Sequence, residues 1–282
     1  MAEVGTLYIC PTPIGNLEDI TLRALNTLKS VDIVAAEDTR HTIKLLNHFD
    51  IKKPLTSYHE HNIKEKGPLL INKLLNGNDI ALVSDAGMPG ISDPGEDLIR
   101  LCIDEGIIVD VLPGATASIT ALVSSGLSTE RFVFEGFLSS NKKERQKQIQ
   151  ELKNETRTII LYESPHRLKS SLKDLNEILN DRKVCVAREL TKRYQEIFRG
   201  NLSEALKKFS EEKIRGEFVI VLEGISTDSL EIIKDKFWDD LSIKDHIGLY
   251  VDTGFSKKEA VKKVAKERGI PKRDVYRESI GM

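Results

Sequence analysis

Asp79-Ile80-Ala81-Leu82-Val83-Ser84-Asp85-Ala86-Gly87-Met88-Pro89-Gly90-Ile91-Ser92-Asp93-Pro94-Gly95 is a buried-strand run that stops abruptly in a loop holding three glycines and two prolines. In an open α/β sheet, ligands settle in the crevice beyond the carboxyl ends of the strands. Glycine lets such a loop turn sharply and bring its backbone N–H and C=O groups close to a ligand. The same residues also read as a plain strand-to-helix turn, with Asp93 or Pro94 opening a helix near 96–105. Two further loops follow strand-like runs. Pro11-Thr12-Pro13-Ile14-Gly15-Asn16-Leu17-Glu18-Asp19 comes after 6–10, and Pro113-Gly114-Ala115-Thr116-Ala117-Ser118 after 107–112. Each alone is a weak signal. Three after strands of one alternating domain can converge on a single site.

Around these loops the chain alternates strand and helix. Thr21 is placed to cap a helix with Leu22, Leu25 and Leu28 on one face, 31–36 reads as a buried strand, 38–49 as a helix and 55–58 as a short strand. With 79–84, 107–112 and a small-residue helix at 115–125, this predicts a mostly parallel sheet covered on both faces. The pattern changes near Phe132. Strands are expected at 131–137, 158–163, 183–189, 196–201 and 217–224, with helices at 141–154, 165–180 and 203–212. No helix separates 189 from 196, which implies a hairpin and a mixed sheet. The expected organisation is an N-terminal α/β domain (1–127), a second α/β domain with a mixed sheet (128–225) and a basic helical extension (226–282). Ser226-Thr227-Asp228-Ser229 reads as a linker, and Gly254, Gly269 and Pro271 break the helical patterns of the extension.

Of 282 residues, 40% are hydrophobic and 30% charged, which suits a globular chain and argues against global disorder. The net charge of −2 conceals an asymmetry, because 254–282 holds nine Lys/Arg against four Asp/Glu. A basic end on a mildly acidic body points to a polyanion contacted there, although basic helices are often plain solvated faces. Cys10, Cys102 and Cys185 are scattered and form no CxxC pair, as expected in a reducing cytoplasm. With no signal-peptide pattern and no apolar run of roughly 18 residues, the expectation is a soluble cytoplasmic protein. The chain has no GxG, no GxxxxGK[ST], no GxSxG and no HExxH. Those absences weigh against dinucleotide enzymes, ATPases and zinc peptidases.

Charged residues gather at the strand ends. Glu37, Asp38 and Arg40 follow the second strand, where Asp38 can equally be a helix cap paired with Arg40. His59 and His61 share a face at strand spacing. With no third ligand nearby no metal is expected, and the pair reads as RNA or active-site lining or as an ordinary polar loop. Arg167, Arg188 and Lys192 are natural phosphate partners, or members of an internal ion-pair network with Glu163 and Glu189. Residues 139–157 carry six Lys/Arg against three acids on an expected mobile helix. Lys257, Lys258 and Lys262 alternate with apolar positions in the extension, in a helix–turn–helix pattern that suits nucleic acid or simply a solvated face.

The ordered set CPTPIGNLEDIT, AAEDTRHT, SYHEHN, LVSDAGMPGISDPG, VLPGATASITALVSSGL, LYESPHRL and ARELTK closely resembles the ribosomal RNA small-subunit methyltransferase I family, within the tetrapyrrole (precorrin) methylase fold superfamily. The resemblance runs from Gly5 to about Gly224. It implies two α/β domains with S-adenosylmethionine in the cleft between them, usually in a homodimer. It further implies methylation of the ribose 2′-hydroxyl of a cytidine in the decoding region of 16S ribosomal RNA, on RNA or the 30S subunit. Mapped by motif, the cofactor pocket comprises Pro13; Ser84, Asp85, Ala86, Gly87 and Ile91; Thr116 and Ala117; and Tyr162 or Glu163 with Leu190. Glu37 occupies the position of a base proposed in small-molecule relatives, with Arg40 orienting it or holding phosphate and Asp85 as the rival base. The chain departs from the small-molecule branch in having PTPIGN and SDAG where that branch has GxGPGD and GDP. Two other readings share the fold: a tetrapyrrole methylase, and a non-catalytic RNA-binding assembly factor.

Overall fold

The computed structural model describes residues 4–211, 213–226, 238 and 241–280. The chain through Gly224 is one compact unit, and the chain from Ile225 is another. The first unit opens with strands β1 (Leu7–Ile9), β2 (Ile33–Ala36), β3 (Leu55–Ser57), β4 (Ile80–Val83) and β5 (Val109–Val111). They form one parallel sheet in the order β3-β2-β4-β1-β5. Helices α1 (Leu22–Ser30), α2 (Thr39–His48), α3 (Ile63–Leu75) and α4 (Glu96–Asp104) lie between the strands in sequence. Because side chains alternate across a strand, Leu7, Ile9, Ala35, Ile80 and Leu82 enter one core. Cys10, Val34, Ala36, Ala81 and Val83 enter a second. A parallel sheet with both faces covered needs continuous apolar strands, and every residue of β4 is buried.

No element is expected at 63–75 from the sequence patterns, yet α3 is there, thirteen residues long with Pro68 inside it. Pro68 forfeits one helical hydrogen bond. The buried face of Gly67, Leu70, Ile71 and Leu74 outweighs that loss. Gly67 also brings the helix against Leu101 of α4, whose Cδ1 would lie 3.2 Å from an added Cβ.

The second sheet consists of β6 (Phe132–Phe137), β7 (Thr158–Glu163), β8 (Lys183–Arg188), β9 (Glu196–Asn201) and β10 (Phe218–Leu222), in the order β6-β7-β10-β8-β9. Among the paired neighbours only β6–β7 is parallel, and β8–β9 is an antiparallel hairpin. Ile159, Leu161, Val184, Val186, Ile220 and Leu222 face helices α6 (Lys142–Glu151), α7 (Leu168–Leu179) and α8 (Leu202–Glu211). The alternate residues Ile160, Cys185, Ala187, Val219 and Val221 face Ala121 and Leu122 of α5 (Ala117–Ser125). Thus α5 follows the last strand of the first sheet but covers the second. Its small residues allow that close packing, and it welds the two sheets into one unit.

In the second unit, α9 (Ile243–Asp252), α10 (Lys257–Arg268) and α11 (Lys272–Glu278) enclose Ile247, Ala260, Val261, Val264, Ala265 and Val275. Of the expected linker at 226–229, residues 227–229 lie outside the described residues. Ser256 and Glu259 form a reciprocal capping box at the start of α10. Ser256→Ala removes an acceptor worth about 1 kcal/mol, so amides in the first turn of α10 are expected to exchange roughly fivefold faster in a hydrogen-exchange measurement. Among the described residues, no helix is long and apolar enough to cross a membrane.

Candidate active site

A cavity of about 360 Å³ opens between the two sheets of the first unit. From the first sheet it takes the loops that leave the carboxyl ends of β1, β2, β4 and β5. From the second it takes the ends of β6, β7 and β8 and the start of β10, which runs antiparallel between β7 and β8 and so begins where they end. Ile14, Met88, Ile91, Phe137, Tyr162, Leu190 and Phe218 give it apolar walls, and Glu37, Asp85, Asp93, Glu163 and Glu217 make it acidic. Among the described residues lining it there is no Lys, Arg or His.

The β4 loop is built by backbone conformations that few residues accept. Gly87 and Gly90 both sit at φ +82° and Gly95 at +150°, while Ser92 is a non-glycine at +61°. Gly87 exchanges both backbone hydrogen bonds with Thr12, at 2.9 and 3.0 Å, which sews the β4 loop to the β1 loop. On the far side, Gly15 packs against Leu190 and Lys192, and the Asn16 N–H donates to Thr191 Oγ1 at 3.0 Å.

Most of the residues put forward for the cofactor converge. Asp85, Ala86, Gly87, Ile91, Thr116, Ala117, Tyr162, Glu163 and Leu190 all line the cavity. Pro13 and Ser84 do not. Ile14 lines it in place of Pro13, and Ser84 is buried beneath the loop, its carbonyl accepting from Thr12 Oγ1 at 3.2 Å. The lining residues that sequence reasoning missed include Asp93, Glu217, Phe137 and Phe218. Asp93 was visible in the quoted loop, whereas Glu217 needs the antiparallel course of β10 to be known.

The charged candidates divide. Glu37 lines the cavity, and burial, then the nearby Asp85 carboxylate, push its carboxyl up. Asp85 accepts the Asp38 N–H at 3.2 Å. Asp38 does not line the cavity. Its carboxylate caps α2 through the Arg40 N–H at 2.8 Å and pairs with the Arg40 guanidinium at 2.7 Å, and those bonds hold it down at about 2. Arg40 is exposed at the rim and bound to that cap. The strongest shift belongs to Asp93, raised to about 7 by burial first and then by Glu37 and Asp85.

The cations of the second sheet are already held. Arg167 reaches Glu163 at 2.9 Å and donates to the Leu138 carbonyl at 2.9 Å. Arg188 donates to the Arg215 carbonyl at 2.8 Å, and Lys192 bridges Glu189 and Glu217 at 2.9 and 2.8 Å. In the 139–157 segment, Arg145 is not a surface charge. It is buried, with Nη2 2.7 Å from Asp174. His59 is half-buried against Asn62, and His61 is exposed beside Glu60. Lys257, Lys258 and Lys262 are exposed on α10 in the second unit.

The model of the tetrapyrrole (corrin/porphyrin) methylases matches residues 6–206. Ribosomal RNA small subunit methyltransferase I of Bacillus subtilis is 50% identical over 275 residues, 98% of this chain and 94% of the relative. The chain belongs to this family of tetrapyrrole-methylase-type enzymes. The Halalkalibacterium halodurans protein of the same name is 53% identical over 97% of this chain and 94% of its own length. The Thermotoga maritima member is matched over 99% of its length by only 221 residues of this chain, at 51% identity, a stretch about as long as the first unit. Among solved structures, uroporphyrin-III C-methyl transferase from Thermus thermophilus complexed with S-adenosylhomocysteine superposes with a TM-score of 0.55. It is 17% identical and covers 78% of this chain and 97% of its own. Diphthine synthase gives 0.58 at 14% identity, covering 78% and 90%. At such identities these structures establish the family's fold.

Proposed function

We propose that this chain transfers the methyl group of S-adenosylmethionine to the ribose 2′-hydroxyl of a cytidine in the decoding region of 16S ribosomal RNA. The observation that carries this reading is the near full-length, roughly one-half identity to ribosomal RNA small subunit methyltransferases I, in a chain whose strand-end loops enclose one acidic cavity. The cavity fits a cationic donor. Its carboxylates favour a sulfonium and disfavour a phosphate-bearing cofactor, and its apolar walls suit an adenine and a thioether chain. When bound, S-adenosylmethionine supplies an electrophilic methyl group.

The residues of this chain then have separate tasks. Gly87, Ala86, Thr116 and Ala117 offer backbone close to the ligand, while Ile14, Ile91, Tyr162 and Leu190 exclude water from it. Aligning donor and acceptor in line is the largest service such a cavity renders. A carboxylate of the group Glu37, Asp85 and Asp93 takes the hydroxyl proton, since an unactivated ribose hydroxyl is a poor nucleophile. The RNA backbone meets polar and basic side chains outside the cavity: Arg40, His59 and His61 beside the first sheet, the half-buried Arg167, Arg188 and Lys192 beside the second, and the exposed Lys257, Lys258 and Lys262 of the basic extension. We assign the working form as a cytoplasmic homodimer, which sedimentation checks directly.

The deciding experiment incubates the protein with methyl-labelled S-adenosylmethionine and 30S subunits from a strain lacking this methylation. Label on a decoding-region cytidine ribose is the expected result. No label on 30S subunits or naked 16S RNA, despite donor binding, would move the assignment to a small-molecule methylase. Removing 226–282 is expected to flatten the salt dependence of RNA affinity, because each phosphate contact contributes to that slope.

A further inference from the structure

The three carboxylates at the first-sheet side of the cavity are not equivalent. The Asp85 carboxylate accepts the Asp38 N–H at 3.2 Å, and Glu37 stands close to Asp85. Asp85 is thus committed to a backbone donor. Asp93 lies near the Ser84 side chain and faces the cavity. The Ser84 hydroxyl donates at 3.4 Å to the carbonyls of Ala86 and Gly87, which leaves the Asp93 carboxylate available to a ligand in the cavity.

The loop that carries Asp93 is closed tightly on itself. A Cβ on Gly95 would meet Leu82 Cδ2 at 3.0 Å and the Gly90 N at 3.1 Å, so Gly90 and Gly95 lie against each other over β4. From this closed turn Ser92 reaches the second sheet, its Oγ 3.4 Å from where a Cβ on Gly136 would stand. Gly136 lies at the register shift of β6, the kind of bulge that bends a strand beside an active site. Asp93 therefore stands in the cleft between the sheets, braced from both.

Resting on the RNA methylation reading above, we propose that Asp93 is the catalytic residue that removes the proton from the acceptor hydroxyl, with Glu37 and Asp85 tuning it. The hydroxyl O–H bond breaks toward the Asp93 carboxylate as the oxygen forms its bond to the methyl carbon. The carbon–sulfur bond breaks with its electron pair left on sulfur. The cationic donor becomes neutral and one proton remains on Asp93, to leave through the solvent-facing mouth. The groups facing Asp93 are Glu37 from the end of β2, Asp85 and Ser84 from the end of β4, and Glu217 from the start of β10. Glu217 is partly offset by Lys192. Burial first, and then the nearby acids, raise its proton affinity, and a base is most effective when that affinity lies near the working pH.

The sign of the pH dependence follows. The carboxylate form is the base, so the single-turnover rate rises with pH through about 7 and levels above it. Asp93→Asn is expected to slow labelling at saturating donor and 30S subunits about 10²-fold or more and to abolish that rising limb. Donor affinity, measured by equilibrium dialysis, is expected to stay within a few-fold. Glu37→Gln removes a neighbouring charge and should move the limb to lower pH. Carbon-13 NMR of the donor-free protein supplies a readout independent of turnover: the Asp93 carboxyl titrates near neutrality, and lower in Glu37→Gln. An Asp93→Asn protein that labels the same nucleotide at nearly the normal rate overturns the proposal and leaves the methylase reading standing. A loss traced entirely to donor binding also overturns it, as does an Asp93 resonance that titrates in the ordinary carboxylate range. Wild-type protein that labels no RNA overturns both.

Discussion

Asp174→Ala is expected to destabilise the first unit by about 3–5 kcal/mol, because it strands a buried arginine without its counter-charge. Asp174 on α7 is 2% exposed and Arg145 on α6 is 5% exposed. The arginine donates through Nε at 2.8 Å and approaches through Nη2 at 2.7 Å, while Gln146 Nε2 donates to the second carboxylate oxygen at 3.0 Å. Arg145 Nη1 also lies 3.4 Å from the carbonyls of Ser139 and Ser140, tying the start of α6 to the end of β6. Thermal melting should shift down by roughly ten degrees for a unit of this size. The double change Arg145→Met with Asp174→Leu should recover most of the loss, since an apolar pair of similar volume removes both desolvation penalties. A loss below about 1 kcal/mol would mean that water reaches Arg145 in solution.

Gly114→Ala is the second large effect, and it acts on the site. A Cβ there would fall 2.3 Å from Pro11 Cγ and 2.7 Å from Pro11 Cβ. The proline ring is rigid and buried, so the two loops must separate. Overpacking of this kind costs about 1–3 kcal/mol. The loops concerned leave the neighbouring parallel strands β1 and β5 and carry Ile14 on one side and Thr116 and Ala117 on the other. Separating them widens the cavity where the donor is expected to lie. Calorimetric titration should show S-adenosylmethionine bound about tenfold more weakly, equivalent to roughly 1.4 kcal/mol. A stability loss with unchanged donor affinity would place the donor away from these two loops.

Local chemistry is legible wherever one element specifies it. The runs at 31–36, 79–84 and 158–163 read as strands because both faces of those sheets are covered, and Asp32, Asp79 and Ser84 fall outside the strands that form. Thr21 caps α1, accepting the Ala24 N–H at 3.0 Å, as a threonine before a periodic apolar run should. The Gly- and Pro-rich loops had to be special, since ordinary residues resist the backbone angles that Gly87, Gly90 and Gly95 adopt. The segment 63–75 was not legible, because Gly67 and Pro68 obscure a helix that only its burial against the first sheet sustains.

Sequence patterns alone carried the alternation of strand and helix, the three strand-end loops, the family and about half of the residues that line the cavity. What only the tertiary structure decided is how the charges are spent. Glu37, the pair Asp85 and Asp93, and Glu217 come from two loops and a strand entrance far apart in the chain, and their mutual repulsion exists only once the sheets face one another. In the same way, Arg145, Arg167, Arg188 and Lys192 look alike as isolated letters. Glu163, four residues before Arg167, was legible as its partner, whereas the fold supplies Asp174, Glu196 and Glu217 to Arg145, Arg188 and Lys192. Periodicity records which side chains leave water. The pairing of those that carry charge depends on distances across the fold, and no local pattern encodes them.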